Sequence, residues 1–302
     1  MPNPALVPPL LAPVLVHTGP VSTVMTPTAE QGKEFAFSHA DFQRVRALIY
    51  QRAGISLHEG KQAMVYSRVS RRLRATGHRS FASYLQWLDQ EAQQPEWQEF
   101  INCLTTNLTS FFREDHHFEL LKHDLQQWHA RLGRTLRLWC CAASTGEEPY
   151  SIVMTAIESL GSPPAMTLLA SDIDTKVLDR ARAGVYPLES KGLSAERLKQ
   201  HFLKGTGANE GQIRVKPALS KPITFRPFNL MSEHWQLGEP MDMVFCRNVM
   251  IYFDAPTQRK VLERLHGVMS PGGLLFVGHS ENFNESRDLF RLRGKTVYER
   301  RP

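Results

Sequence analysis

Residues 136–150 read LRLWCCAASTGEEPY, and this stretch decides the fold. Leu136, Leu138 and Trp139 open an apolar run that shrinks into small residues from Cys140 to Ser144. Gly146 follows, then two carboxylates, Glu147 and Glu148, then Pro149. A buried strand passes into a helix in this order. Pro is tolerated in the first helical turn, and acids there suit the positive end of the helix dipole. In open α/β sheets, ligands bind at such crossings.

The crossing departs from a dinucleotide fingerprint. There is no G-x-G-x-x-G, and Ala142, Ala143, Ser144 and Thr145 stand where more glycine would be expected. A pyrophosphate would meet like charge at Glu147 and Glu148, which argues against NAD or ATP phosphates. A small-residue crossing rimmed with acid suits a ligand carrying positive charge and hydroxyls, as S-adenosylmethionine does. An ordinary helix start with dipole-matching acids explains this stretch equally well.

Downstream, strands are expected at 136–142, 167–171, 223–228, 241–246 and 274–278, with helices at 147–160, 175–183 and 256–269 between them. Pro271-Gly272-Gly273 reads as a turn, and 289–300 as a closing hairpin. Short apolar strands alternating with amphipathic helices predict a parallel sheet covered on both faces. Asp172 ends the second strand, near the offset of a ribose-binding acid, although Asp174 alone could cap the next helix. Arg247 and Asn248 end the fourth strand, exposed to the crevice. Between 184 and 228 lies an insertion. Its Gly-rich run from Lys204 to Val215 (KGTGANEGQIRV) reads as a small antiparallel excursion. Such an edge could take a peptide by strand addition, or simply decorate a crossover.

Upstream, residues 38–130 read as helices. Ser38 with Asp41 forms a capping box, and Gly54 stops the first helix. The second carries Arg68, Arg71, Arg72 and Arg74, with no acid between Lys61 and Tyr84. That face is either solvated or a docking surface for something acidic. Asn107–Phe118 (NLTSFFREDHHF) breaks the helical pattern. It offers a polar-aromatic-Arg wall for a ligand, with one of Phe111 and Phe112 facing the core and the other a pocket. His116 and His117 are adjacent, poor geometry for one metal ion, so no metal site is expected.

With 42% hydrophobic and 22% charged residues the chain is an ordinary globular one, and its 302 residues suffice for two domains. No apolar run approaches the ~20 residues that span a bilayer. Four cysteines without a C-x-x-C pair read as reduced core residues of a cytoplasmic protein. The net charge of +6 keeps nucleic acid open as a partner on that number alone.

Taken together, 107–118, 143–151 (ASTGEEPYS), 170–174 (ASDID), 245–254 (FCRNVMIYFD) and 278–283 (GHSENF) give the chain from about Phe37 onward a specific resemblance. It resembles the chemotaxis-receptor protein-glutamate O-methyltransferases, the CheR family. The resemblance implies an all-α N-terminal domain and a Rossmann-like, S-adenosylmethionine-dependent α/β methyltransferase domain with an inserted antiparallel β-subdomain. The expected division is a disordered arm at 1–34, the helical domain with its linker at 35–132, and the methyltransferase domain at 133–302, with the insertion at about 186–226.

Carried over by position, cofactor contacts fall on Asn107, Thr109, Arg113, Glu147, Asp172, Asn229, Leu230, Arg247 and Asn248. Arg113 and Tyr252 match positions facing the transferred methyl and the acceptor. The implied partners are methyl-accepting receptors, met by the basic second helix and, in some members, by the β-subdomain holding a receptor tail peptide. No nucleic acid, no membrane insertion and a monomer are expected. A nucleic-acid methyltransferase and a non-catalytic binding module are the competing readings.

Overall fold

The structure, a computed structural model, describes residues 33–90 and 95–302. The expected arm lies outside the described residues except for Lys33 and Glu34. Four helices come first: α1 (His39–Ala53), α2 (Gln62–Thr76), α3 (Phe81–Gln90) and α4 (Pro95–Leu104). Ser38 caps α1 with the reciprocal Asp41 bonds of a capping box, and Gly54 closes it in the left-handed region at φ 71°. Apolar residues at helical spacing, such as Phe42, Val45 and Ile49, bury one core shared by these helices.

α5 (His116–Leu132) resembles the first four in sequence but packs elsewhere. Phe118, Leu121, Leu125 and Trp128 join the core of the sheet. Packing therefore divides the chain before α5, earlier than the expected boundary at 132, because α5's apolar stripe matches the sheet-side helices.

The sheet follows. Its parallel strands are β1 (Leu136–Cys140), β2 (Met166–Asp172), β6 (Ile223–Pro227), β7 (Met241–Cys246) and β8 (Met269–Val277), and β9 (Phe290–Gly294) and β10 (Val297–Arg300) close it as an antiparallel hairpin. The helices α6 (Glu147–Leu160), α7 (Thr175–Ala183) and α10 (Ala255–Val268) cross between strands. The strand order β6-β2-β1-β7-β8-β10-β9 reverses between β1 and β7. Alternate residues of β1 feed opposite cores: Leu138 faces the side of α5 and α6, and Trp139 faces the side of α10. The expected turn at Pro271-Gly272-Gly273 is instead a bulge inside β8. Met269 pairs with Met241 before it and Leu274 with Met243 after it.

The insertion contains β3 (Val185–Pro187), α8 (Ala195–His201), β4 (Phe202–Lys204), β5 (Gln212–Val215) and the single turn α9 (Pro217–Ser220). Its three strands form an antiparallel sheet in the order β3-β5-β4. The glycine-rich run from Lys204 to Val215 holds the end of β4, the β4–β5 connection and β5, the antiparallel excursion expected. Phe111 packs edge-on to Tyr186 and Phe202 and so ties the insertion to the linker. Phe112 packs on Phe118 under the Arg197 guanidinium. Both phenylalanines are buried, so neither faces a pocket.

Candidate active site

A crevice of about 350 Å³ opens where the strand order reverses, within the range of small-ligand sites. Its floor is the β1–α6 crossing, its sides are the ends of β2 and β7, and its roof is the linker with the start of α2. Nine of the ten residues expected to hold or face the ligand line it: Asn107, Thr109, Arg113, Asp172, Asn229, Leu230, Arg247, Asn248 and Tyr252.

Glu147 is the exception. Its carboxylate accepts from Thr145 Oγ1 at 2.6 Å on the Tyr186 side, and burial raises its pKa. Glu148 lines the crevice in its place. Neighbouring helical positions point about 100° apart, so only one of two adjacent acids can face the strand ends. No spacing in the sequence singles out Glu148 over its neighbour.

Asp172 sits on the floor. One carboxylate oxygen accepts from Ser144 N at 2.8 Å and the other from Asp174 N at 2.9 Å. Burial outweighs those N–H groups and pushes its pKa up to about 6. Lone pairs on both oxygens remain for hydroxyl donors.

Four expected contacts use their side chains on the protein. Asn107 donates to Asp174 Oδ2 at 2.8 Å, and Asn229 donates to Arg52 O at 2.7 Å. Asn248, at φ 56°, reaches Glu114 Oε1 at 3.3 Å. The Arg247 guanidinium is fully buried. It donates to Glu148 Oε2 at 2.5 Å, to the Arg113 carbonyl, and pairs with Glu114 at 3.3 Å. These residues shape the crevice by fixing the loops around it.

Arg113 and Tyr252 remain available. One Arg113 arm donates to Leu108 O at 2.9 Å, and the rest of the guanidinium has no protein acceptor among the described residues. Tyr252 reaches Thr106 O only at 3.5 Å, the limit of a hydrogen bond. Strain gathers here too. Phe112, Glu114, Ser144 and Asn248 all take positive φ without being glycine, which over-determined functional sites tolerate.

Glu281, in the GHSENF block, had no expected role. Its buried carboxylate accepts from Gly278 N at 2.5 Å, Met250 N at 2.8 Å and Asn248 N at 2.9 Å, clamping the loop that carries Tyr252. A Cβ on Gly278 would lie 2.3 Å from Asn248 Nδ2, so this turn requires glycine. An acid directly after Gly-His-Ser, just past the last parallel strand, was the available signal.

Glu114, His116 and His117 bring one ligand atom each within 4.8 Å of one another. The Arg247 cation already neutralises Glu114, and with the His279 N–H it outweighs burial and holds that carboxyl below its usual range. A divalent ion there would face a guanidinium.

The donor set fits S-adenosylmethionine. Asp172 suits ribose hydroxyls, and Phe228, Leu230 and Val249 give an apolar wall for a base.

Comparison with known proteins agrees with this geometry. Residues 107–299 match the CheR methyltransferase SAM binding domain, and residues 40–105 match the CheR methyltransferase all-alpha domain. The chemotaxis protein methyltransferase of Escherichia coli (strain K12) is 49% identical over 269 residues, covering 88% of this chain and 92% of that protein. Chemotaxis protein methyltransferase 2 of Pseudomonas aeruginosa is 52% identical, covering 88% and 95%. Chemotaxis protein methyltransferase 1 of the same organism is 36% identical, covering 84% and 94%.

Proposed function

Because the chain belongs to the CheR methyltransferase family, we propose that it methylates glutamate side-chain carboxylates of methyl-accepting chemotaxis receptors, giving glutamate methyl esters and S-adenosylhomocysteine. At the coarser level it is an S-adenosylmethionine-dependent methyltransferase of chemotaxis, with chemoreceptors as substrates.

When bound, S-adenosylmethionine supplies an electrophilic methyl group on a sulfonium. A glutamate carboxylate is ionised at neutral pH and needs neither base nor metal to attack it. It needs alignment, which is worth about 7–11 kcal/mol in favourable cases. Asp172 and the fixed loops hold the cofactor. Arg113, largely unpaired at the crevice, orients the incoming carboxylate through its fork. Tyr252 closes the mouth and donates a hydrogen bond. The largely unpaired Arg113 guanidinium beside a cofactor-sized crevice is the observation that favours an anionic acceptor, and the chemotaxis methyltransferase relatives favour a chemoreceptor over a nucleic acid.

The receptor meets two further surfaces in this reading. Arg71 stays exposed on α2 and steers acidic receptor helices, whereas Arg68 and Arg72 are committed internally. The β-subdomain around Lys204–Val215 takes a receptor tail peptide by strand addition at an outer edge, β3 or β4, since β5 is paired on both sides. We place the protein in the cytoplasm as a monomer. No helix among the described residues is long and apolar enough to cross a membrane.

Transfer of labelled methyl from S-adenosylmethionine to receptor-containing membranes tests the reading. Label released by alkali marks a carboxyl methyl ester. Label that resists alkali, or that goes to RNA and not to receptor, would sink it.

A further inference from the structure

The mouth of the crevice carries two apolar side chains that the chemistry above does not use. Leu108 is 81% exposed and Ile251 is 51% exposed, and both line the crevice with Arg113 and Tyr252. Other exposed apolar residues, such as Leu203 and Leu292, do not line it. Single exposed leucines are common on protein surfaces, but two on the lips of one site call for an occupant.

Neither side chain is exposed because its loop is slack. The Leu108 carbonyl accepts from Arg113 Nη1 at 2.9 Å. Its neighbour Asn107 is held to Asp174 at 2.8 Å, and the Asn107 carbonyl accepts from Ser144 Oγ at 3.0 Å. Ile251 lies in the tight turn Met250–Tyr252. Glu281 holds the Met250 N–H at 2.8 Å, and Ser56 N donates to Tyr252 O at 2.8 Å. The loops are pinned on both sides, and the pinning directs apolar surface into water beside the reacting groups.

We propose that Leu108 and Ile251 form an apolar clamp that grips the receptor segment on either side of the acceptor glutamate. The inference rests on the methyltransferase reading above. Arg113 recognises the carboxylate, and aliphatic lips cannot. They take the methylene stem of the glutamate and apolar side chains flanking it. The enzyme thereby favours acceptor glutamates that have apolar neighbours within reach of the lips.

The test compares the wild type with the Leu108→Ala/Ile251→Ala double variant and with Leu108→Asp. Labelled transfer to receptor membranes gives the receptor KM, and calorimetry gives the affinity for S-adenosylmethionine. The double variant should raise the receptor KM roughly tenfold, the effect of losing about one buried aliphatic contact, with cofactor affinity unchanged. Leu108→Asp should raise KM further, because it places a carboxylate against the acceptor. An unchanged receptor KM would overturn the clamp. So would a loss of cofactor affinity at unchanged receptor KM, since the lips would then cover the cofactor. A wild-type chain that labels no receptor would overturn the methyltransferase reading and the clamp with it, so the wild-type control separates the two failures.

Discussion

An arginine–glutamate pair braces each half of the molecule, one partly buried and one with its guanidinium fully buried. In the helical domain, Arg72 grips Glu96 with two bonds of 2.8 and 2.6 Å and reaches Glu99 at 3.0 Å, and Tyr84 donates to Glu96 at 2.7 Å. Under the crevice, Arg247 grips Glu148 at 2.5 Å and pairs with Glu114 at 3.3 Å. The chemistry is the same, but the surroundings differ. The first pair joins α2 to α4 and does not line the crevice. The second also holds the Arg113 carbonyl, so the floor of the site and the Arg113 backbone share one support. Position sets what each pair holds: two helices in one domain, and the crevice floor with the Arg113 backbone in the other.

Arg247→Ala should have the largest effect. It leaves Glu148 and Glu114 buried without their cation, a loss of about 3–5 kcal/mol, and it should weaken turnover in the molecules that stay folded. Denaturant midpoints and turnover on one preparation would check both; a fall in stability with full turnover would make the two pairs equivalent.

Arg113→Ala should lower turnover by roughly 10²-fold while cofactor affinity by calorimetry stays near wild type. An unchanged rate would remove Arg113 from the alignment and leave Arg247 nothing to position.

Arg72→Ala should cost about 2–3 kcal/mol, less than its counterpart because its side chain is 18% exposed and Tyr84 still serves Glu96. Turnover per folded molecule should hold. Lost turnover at intact stability would reverse the comparison.

The smallest effect is a pH dependence. Asp172 has its pKa raised from 3.8 to about 6 by burial. Between those values the folded chain keeps a proton that the unfolded chain releases. Stability from this group therefore falls as pH rises through that window. Ligand hydroxyls favour the carboxylate, so cofactor affinity should rise with pH through about 6, at most about tenfold per unit. Calorimetry at pH 5, 6 and 7.5 would read this, and Asp172→Asn should flatten the slope.

Much of this was legible beforehand. The crossing at 136–150 announced a sheet-and-helix domain, because strand and helix periods survive in local sequence. The motif blocks brought nine of the ten expected residues to one crevice. Counting charge along α2 does not show which of its arginines are engaged, because their partners arrive from elsewhere in the fold. Arg68 meets the Leu104 and Thr105 carbonyls, Arg72 meets Glu96 and Glu99, and Arg74 meets Glu34. Arg71 alone of those four arginines has no such partner among the described residues.

The sequence by itself determined the elements, their order and the family, since those depend on periodicity and on motifs contiguous in the chain. Only the tertiary structure decided that Glu148 and not Glu147 faces the crevice, and that α5 belongs to the sheet. It alone decided that Arg247 supports the site from beneath while Arg113 spends one arm on the Leu108 carbonyl above it. Each of those outcomes depends on which distant groups meet a side chain, and a buried charge takes its role from the partner the fold supplies.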